Sequence, residues 1–351
     1  MYDFIIVGAG PSGATLARLI NKKYKVLLID RKVSSNKCCG GLLAPDSQKV
    51  IAQLGLGIPK EVLVTPQLFT VRTIDIDNNL EKFYQRHYMN LDRDKFDRWL
   101  VSLIPPNVDV MFGCRLKEYK ELDDGILVKL IKGNIEFEEK AKVIIAADGA
   151  CSKVRKTLKK EADNQDIYIS IQEKCRVKNY MPYFSSIFDS EISDFYSWTI
   201  PKEDYILLGT AISINDNVNE KFSNLKIKLK NYGYSFEENN LRQGAYIIRP
   251  RKKKDIYIGN YKIALIGEAA GFISPSSAEG ISYALRSAIY LAKSINEDSF
   301  KFHNSYKIRT SKLRNNIVLK NMKCPFMYNK NIRKVVIKSG VLSMDIETLG
   351  K

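Results

Sequence analysis

Residues 2–30 form a strand–helix–strand pattern that places strong limits on the fold. The apolar run Phe4–Val7 predicts a buried strand, Ala14–Asn21 predicts a helix, and Lys25–Ile29 predicts a second buried strand. The second strand is followed by an acid, Asp30. This order is typical of the first unit of a dinucleotide-binding fold, in which the acid accepts hydrogen bonds from the adenosine ribose.

The loop between the first strand and the helix carries Gly8, Gly10 and Gly13 in the spacing G-x-G-x-x-G. Gly8 permits a tight turn, Gly10 lets the backbone approach a pyrophosphate, and Gly13 lets helix and strand pack closely. The unpaired N–H groups at the start of the helix attract phosphate. The pattern predicts a dinucleotide site without specifying which dinucleotide binds.

Composition excludes several classes of protein. The chain has 351 residues and is 45% hydrophobic, enough for a large core in two closely joined domains. No apolar segment is long enough to cross a membrane and no basic leader precedes the first strand, so we expect a cytoplasmic protein. Six scattered cysteines without a C-x-x-C pair, and two histidines, argue against a metal site, a disulfide framework and a Ser-His-Asp hydrolase.

The net charge of +17 is unevenly distributed. Residues 301–351 contain twelve Lys or Arg against two acids, and a second basic run lies at 249–254. One interpretation is a face that meets an anionic membrane surface, which would make the protein peripheral at the inner face of the membrane. The other is a solvated helical surface in a chain rich in lysine throughout. No nucleic-acid-binding motif accompanies the charge, so we expect no nucleic-acid partner.

Two later motifs each follow an apolar strand. The run Val143–Ala147 leads into Asp148-Gly149, and Ile263–Ile266 leads into the loop Gly267–Ile281. Open α/β sheets bind ligands at such strand ends, so the Asp-Gly pair is a candidate for the ribose or ribityl side of a cofactor. The Ala/Gly-rich loop can pass beneath a planar ring, and the helix after it would direct its positive end towards that ring.

Pieces of the nucleotide fold thus alternate with segments that predict antiparallel strands. We predict an α/β (α+β) protein in which a single Rossmann-type domain is interleaved with an antiparallel-sheet substrate domain and followed by C-terminal helices. The predicted boundaries are 1–67, 92–164 and 250–298 for the nucleotide-binding domain, 68–91 and 165–249 for the substrate domain, and 299–351 for the basic helical segment.

The three motifs in this order resemble the flavoproteins of the para-hydroxybenzoate hydroxylase type, which hold FAD. More narrowly, residues 39–41 (CGG), 196–202 (YSWTIPK) and 267–281 resemble the geranylgeranyl reductase family. Within that family the chain is similar to the CbrA-like branch over nearly its whole length, for example at 84–97 (YQRHYMNLDRDKFD) and 333–341 (RKVVIKSGV).

The resemblance implies FAD as the cofactor. It assigns contacts with FAD to Gly8, Gly10, Pro11, Ser12, Gly13, Asp30, Arg31, Gly40, Gly41, Arg93, Asp148, Gly149, Gly267, Glu268, Gly280 and Ile281. Glu268 stands where most relatives have Asp, and it keeps the acceptor at the cost of one extra methylene. Arg93 is the cation that we expect near the pyrophosphate.

The resemblance also supplies the catalytic candidates Cys39, Tyr196 and Trp198. Cys39 matches the family cysteine close to the flavin ring, where a thiol could donate a proton, shield the ring or form an adduct; the alternative is a small buried residue that lines the loop. Alternation along a strand puts Tyr196 and Trp198 on one sheet face. In the family this face lines a lipid-sized tunnel, and the alternative is a hydrophobic sheet core.

The implied reaction is hydride transfer from reduced FAD to a carbon–carbon double bond of a prenyl-lipid or other hydrophobic small-molecule substrate. No second G-x-G-x-x-G occurs, so we expect the electron donor to be transiently bound NAD(P)H or a reduced electron carrier.

One alternative is an FAD-dependent aromatic monooxygenase, or a halogenase, on the same scaffold. Another is a non-catalytic flavin- or lipid-binding protein in envelope modification. Trp198-Thr-Ile-Pro201 resembles a halogenase element, but Tyr196 replaces the first tryptophan of that element.

Overall fold

The computed structural model describes residues 1–33, 38–159, 166–176, 181–236, 242–299, 301–341 and 343–344. Contacts between residues divide the chain into two compact units. Unit 1 comprises Met1–Asn36, Asp94–Asp166 and Ile248–Lys320, and unit 2 comprises Lys37–Arg93, Ile167–Ile247 and Asn321–Lys351. The chain therefore alternates between the units along its length.

Unit 1 is built on a mixed sheet. With strands numbered along the whole chain, its members are β1 (Tyr2–Val7), β2 (Val26–Asp30), β6 (Val108–Phe112), β7 (Cys114–Leu122), β8 (Gly125–Lys132), β9 (Ile135–Ala146) and β15 (Ile263–Leu265). Their order is β6–β2–β1–β9–β8–β7, with β15 beside β9. The turns predicted between β7, β8 and β9 join antiparallel neighbours.

Parallel pairing brings the three nucleotide motifs to one edge of this sheet. Val7, at the end of β1, lies opposite Ala146, at the end of β9, and Ala146 lies opposite Leu265, at the end of β15. Strands β1 and β15 are buried along most of their length, and β9 is buried over its last four residues. The glycine loop, the Asp-Gly pair and the loop after β15 therefore all leave the sheet at the carboxyl ends of its parallel strands.

Unit 1 also contains several helices. They are α1 (Pro11–Leu19), most of α3 (Arg93–Ser102), α4 (Lys153–Lys159), α6 (Ile281–Glu297) and α7 (Phe302–Arg309). Helix α1 starts earlier than the predicted Ala14–Asn21 because Pro11 is already suited to the first helical turn. It ends earlier because Ile20 has extended backbone.

Unit 2 contains a second sheet. Its strands are β3 (Leu42–Leu43), β4 (Leu68–Asp75), β5 (Leu80–Asn90), β10 (Ile167–Cys175), β11 (Phe184–Phe188), β12 (Ser197–Lys202), β13 (Tyr205–Ser213), β14 (Arg242–Ile248) and β16 (Ser343–Met344). Their order is β14–β10–β13–β12–β11–β4–β5–β16, with β3 paired to β5. The predicted hairpin over 68–91 is present as β4 and β5.

The sequence did not predict two features of unit 2. Strand β11 runs parallel to β4, inside a sheet expected to be antiparallel, because a long stretch of chain separates the two strands. Helix α5 (Val218–Leu229) lies in a region predicted as strands. Its buried Phe222, Leu225 and Leu229 recur at helical spacing and join the core of the unit.

Residues 37–67 belong to unit 2 by contacts, whereas the sequence assigned them to the nucleotide-binding domain. Strand β3 explains the difference, because Leu42 and Leu43 pair with Asn90 and Met89 of β5. The helix after it, α2 (Pro45–Gln53), also contacts β3 and β5. The Cys39 loop is thereby attached to the second sheet.

The C-terminal part of the chain continues with α8 (Ser311–Tyr328) and α9 (Lys330–Lys338). The predicted class is confirmed: a mixed α/β fold with a Rossmann-type sheet, an interleaved second sheet and C-terminal helices. Within the described part of the chain, no helix is long and apolar enough to cross a membrane. The same residues hold no cluster of three His, Cys, Asp or Glu side chains suited to a metal ion.

Candidate functional site

The glycine loop of unit 1 has the close packing that its spacing predicts. Gly8 has a positive φ of 106°, and a Cβ at this position would lie 2.5 Å from the carbonyl oxygen of Ala147. A Cβ at Gly13 would lie 1.8 Å from the carbonyl oxygen of Gly8. Around Gly10, by contrast, no described atom lies within 4 Å of where a Cβ would be. Gly8 and Gly13 are thus required by the packing of the protein itself, and Gly10 leaves an open approach to the start of α1.

The start of α1 is suited to an anion. Gly10 is the N-cap and provides no side-chain cap, and no acid occurs in the first turn. The N–H groups there, with the positive end of the helix dipole, suit a pyrophosphate. Pro11 and Ser12 form this turn and are buried. The predicted phosphate site is therefore open to an anion.

Asp30 is held at the end of β2 by backbone donors. Its Oδ2 accepts a hydrogen bond of 2.7 Å from Ala9 N, and its Oδ1 accepts one of 2.8 Å from Lys32 N. Each carboxylate oxygen keeps a further lone pair that a ribose hydroxyl can use. Arg31 beside it is exposed. The acid is therefore fixed in orientation before any ligand arrives.

Asp148 provides the clearest test of whether unit 1 fits a dinucleotide. Its Oδ2 accepts a hydrogen bond of 2.9 Å from Lys153 N, while its buried Oδ1 has no hydrogen-bond partner among the described residues. Burial raises the pKa of this carboxyl. A buried acceptor without a donor is costly, and a ligand hydroxyl would satisfy it. Gly149 follows with a φ of 78° and open space at its Cβ position. These residues fit the ribityl or ribose side of FAD.

The third motif packs against the first. Gly267 has a φ of 57°, and a Cβ there would lie 2.8 Å from Ser12 Oγ on α1. Glu268 accepts a hydrogen bond of 3.1 Å from Ile248 N. After the loop, α6 begins at Ile281 with Gly280 as N-cap and no side-chain cap. A second uncapped helix start is therefore present in the same unit.

Arg155 supports this third motif, a role that the sequence did not reveal. It is one of the largest fully buried side chains. Its Nη1 donates to the carbonyl of Ala269 at 3.2 Å and its Nη2 donates to the carbonyl of Asp255 at 2.8 Å. The sequence showed Arg155 only as the last residue of the second motif. Its long-range partners, not its neighbours in sequence, define what it does.

The catalytic candidates lie in unit 2, where Cys39 contacts a buried arginine. Arg93 Nη1 lies 3.3 Å from Cys39 Sγ, in hydrogen-bonding position. The expected contact of Arg93 with a pyrophosphate stays a prediction. Within unit 2, Arg93 contacts the thiol of Cys39. Gly41, with a φ of 61°, turns the loop so that its carbonyl faces inwards.

Lys202 is the most unusual group of unit 2. In the sequence it is only the last residue of the stretch 196–202 that resembles the reductase family. Its side chain is 3% exposed, and Nζ donates to the carbonyls of Leu91 at 2.8 Å and Gly41 at 3.2 Å. Burial lowers the pKa of Lys202 to about 7, although Cys39 and Asp92 act in the opposite direction. A lysine with this pKa can gain or lose a proton at neutral pH.

Trp198 and Tyr196 form one end of an aromatic cluster. Their ring centroids lie 5.5 Å apart, and Tyr196 contacts Phe195 at 5.1 Å. Phe195 in turn contacts Tyr328 of α8 at 5.3 Å, a partner that the sequence gave no reason to expect. Trp198 is seated on Gly209, where a Cβ would lie 2.5 Å from the indole ring. Whether this face lines a substrate pocket, as the resemblance implies, stays a prediction.

Gln172 connects the cysteine loop to this cluster. With its amide oriented to satisfy both donors, its oxygen accepts hydrogen bonds of 3.2 Å from Gly40 N and from Trp198 Nε1. A Cβ at Gly40 would lie 2.5 Å from Ile200 on the same strand as the tryptophan. Unit 2 thus brings Cys39, Arg93, Lys202 and Trp198 into one connected group, while the nucleotide motifs form another in unit 1.

Comparison with known proteins identifies the family of the chain. Residues 1–205 match the family described as FAD binding domain. The chain is 36% identical over 345 residues to protein CbrA of Escherichia coli O6:H1, an alignment that covers 97% of this chain and 94% of that protein.

Solved structures show the same fold. A geranylgeranyl bacteriochlorophyll reductase-like protein from Thermoplasma acidophilum aligns with a TM-score of 0.79 at 21% identity, covering 99% of this chain and 93% of that one. The flavin-dependent brominase Bmp2 aligns with a TM-score of 0.70 at 18% identity, covering 97% and 92%. HpxO of Klebsiella pneumoniae, solved with FAD, aligns with a TM-score of 0.71 at 15% identity, covering 97% and 94%.

Proposed function

The chain belongs to the FAD-dependent oxidoreductase family that includes the CbrA proteins, and we propose that it reduces carbon–carbon double bonds of a prenyl or similarly lipid-like substrate. The FAD-binding domain supports FAD as the cofactor. Under this proposal, the motifs of unit 1 hold the dinucleotide, and Cys39, Lys202 and the aromatic cluster of unit 2 act on the substrate.

The observation that carries the proposal is the buried Lys202. Saturating an alkene requires a hydride at one carbon and a proton at its neighbour, and reduced FAD supplies the hydride when bound. The proton must come from the protein, in surroundings that exclude water. With a pKa lowered to about 7, Lys202 holds a transferable proton at neutral pH.

The aromatic cluster supports an apolar substrate. Trp198, Phe195 and Phe188 are buried, and Tyr196 is half-buried between them. Aromatic rings of this kind bury a large area with little loss of side-chain freedom, which suits an isoprenoid chain that offers no hydrogen bonds.

We further propose that the reductant is NAD(P)H that docks transiently, or a reduced electron carrier. The sequence contains one G-x-G-x-x-G pattern, which the FAD-binding domain accounts for. The proposal also places the protein in the cytoplasm at the inner face of the membrane, where prenyl lipids are found.

The decisive experiment mixes photoreduced holoenzyme with polyprenyl lipids in the absence of oxygen. We expect the flavin absorbance to return and a lipid heavier by two hydrogens to form, as detected by mass spectrometry. Lys202→Met should slow this reoxidation by at least about a hundredfold, the lower end of the range for loss of a general acid. The matched control Lys22→Met, which changes an exposed lysine, should not slow it.

Two results would reject the reductase. In the first, only oxygen reoxidises the flavin and no saturated lipid forms. In the second, an aromatic substrate stimulates NAD(P)H oxidation and acquires oxygen or, with halide present, a halogen. The likeness in fold to the brominase Bmp2 makes the halide arm necessary.

A further inference from the structure

Exposed apolar side chains are concentrated near the end of unit 2. Six large hydrophobic residues that face solvent follow one another within about twenty positions: Met322, Phe326, Ile332, Val335, Val336 and Val341. Isolated exposed hydrophobic residues are common on any protein, but a concentrated group indicates a binding surface.

Helix α9 presents its apolar side outwards. Ile332, Val335 and Val336 recur at the i, i+3, i+4 spacing of a single helix face, and they are 38%, 69% and 46% exposed. Arg333 of the same helix is only 4% exposed. In a helix that packs by the hydrophobic effect, the valines would be buried and the arginine would be in solvent. Here the arrangement is reversed.

An ion pair determines this orientation. Arg333 Nη2 lies 2.8 Å from Asp75 Oδ1 and 2.6 Å from Asp77 Oδ2, and its guanidinium lies 5.0 Å from the Phe188 ring. The side chain of Asn329 caps the start of the helix. The apolar face therefore stays outside because polar contacts hold the opposite side of α9.

The charge of this region is entirely positive. Residues 299–344 contain eleven Lys or Arg and no Asp or Glu. On α9 itself, Lys334 and Lys338 are exposed, and Lys338 follows Val335 by three positions, so the lysine row adjoins the apolar row on the helix surface. Apolar side chains beside a lysine row are the pattern of a helix that lies in a membrane interface.

We propose that α9, with Met322 and Phe326 of α8, docks the protein on the surface of an anionic lipid bilayer. The lysines meet the headgroups and the valines enter the boundary of the acyl chains. Nucleic acid would use the lysines and leave the valines in water. A second copy of this surface would bring like charges together. The inference does not depend on the proposed reaction.

The test is flotation of the FAD-loaded full chain with vesicles of phosphatidylcholine, alone or mixed with phosphatidylglycerol. We expect binding to the mixed vesicles only. The double variant Lys334→Glu/Lys338→Glu should weaken it by at least about tenfold, since each basic residue near the surface contributes about 1 kcal/mol. Val335→Ser/Val336→Ser should also weaken it, by about tenfold.

Matched controls are Ile227→Ser, which changes a 62%-exposed residue of α5, and Lys22→Glu, which reverses an exposed lysine of unit 1. Both should bind vesicles as the unchanged protein does. Equal binding to neutral and mixed vesicles, or unchanged binding by both α9 variants, would overturn the proposal. The proposal would also be overturned if Val335→Ser/Val336→Ser left vesicle binding unchanged and altered only the sedimentation coefficient of the protein. The surface would then bind a second copy of the chain and not a bilayer.

Discussion

The ammonium group of Lys202 donates a 2.8 Å hydrogen bond to the carbonyl of Leu91, in surroundings that leave 3% of the side chain exposed. Two backbone carbonyls replace part of the water that the ammonium loses, and no carboxylate among the described residues accepts a hydrogen bond from it. Burial therefore lowers its pKa to about 7. This relationship makes the stability and the chemistry of unit 2 depend on pH.

We expect Lys202→Met to remove a pH-dependent part of the folding free energy. Between pH 7 and the ordinary lysine pKa of 10.5, the unfolded chain binds a proton at this position that the folded protein does not. Stability of the unchanged protein should therefore rise with pH across this window, by about 1.4 kcal/mol per unit from this group. In urea unfolding measured from pH 7 to pH 10, the unfolding free energy of Lys202→Met should rise less steeply with pH than that of the unchanged protein.

Lys22→Met serves as the control for this experiment, because Lys22 is exposed and its removal should leave the slope unchanged. An identical pH dependence in Lys202→Met and the unchanged protein would contradict the low pKa. For activity, a proton donor must be protonated, so alkene reduction by the unchanged protein should decline as pH rises above about 7.

Arg93→Met should lower the reactivity of Cys39. A guanidinium that donates to sulfur favours the thiolate, which is the nucleophile. We expect alkylation of Cys39 by iodoacetamide to slow by about tenfold, a difference of about 1.4 kcal/mol for a charged hydrogen bond. Peptide mass spectrometry can follow Cys39 and the exposed Cys151 in one sample. Equal slowing of both would indicate a general change of structure and not loss of this contact.

Gly10→Ala and Gly13→Ala should separate cofactor binding from folding. The methyl group at Gly13 would meet the carbonyl of Gly8, so we expect a loss of about 2–4 kcal/mol in unfolding free energy. At Gly10 no described atom lies within 4 Å, so the apoprotein should unfold as before while its affinity for FAD falls at least about tenfold. Urea unfolding and flavin fluorescence measure the two effects. A Gly10→Ala protein that binds FAD normally would place the pyrophosphate elsewhere.

The nucleotide edge could be predicted from sequence because its signals are local. Gly8, Gly13 and Asp30 lie within one strand–helix–strand unit, and parallel pairing follows from the order of its strands. The resemblance then selected FAD among dinucleotides. The Asp148 and Gly267 motifs each follow an apolar run, which indicated that they lie at strand ends where open α/β sheets bind ligands.

The sequence predicted Cys39 and Trp198 as candidates, but it did not predict which residues lie around them. Lys202 bonds to Gly41 and Leu91, which lie 161 and 111 positions away, and no local pattern distinguishes it from the other lysines. Tyr328 reaches the aromatic cluster from a helix near the end of the chain. Long-range contacts decide burial, and burial determines pKa, so neither could be derived from spacing.

Arg333→Met should destabilise unit 2 strongly, because Asp75 would remain fully buried with its charge uncompensated. Removing one partner of a buried ion pair costs about 3–5 kcal/mol. Burial raises the pKa of Asp77, but hydrogen bonds from Ser190 and Arg333 outweigh it and lower this pKa. The Asp77–Arg333 pair therefore stabilises the fold above the ordinary aspartate pKa, and this stabilisation is lost as pH falls below it. Thermal unfolding at pH 7 and at lower pH measures both effects.

Asp75→Asn in the Arg333→Met background should restore part of the loss, whereas Lys334→Met on the exposed side should change stability by less than about 0.5 kcal/mol. If the double variant is no more stable than Arg333→Met, the uncompensated charge is not the source of the loss.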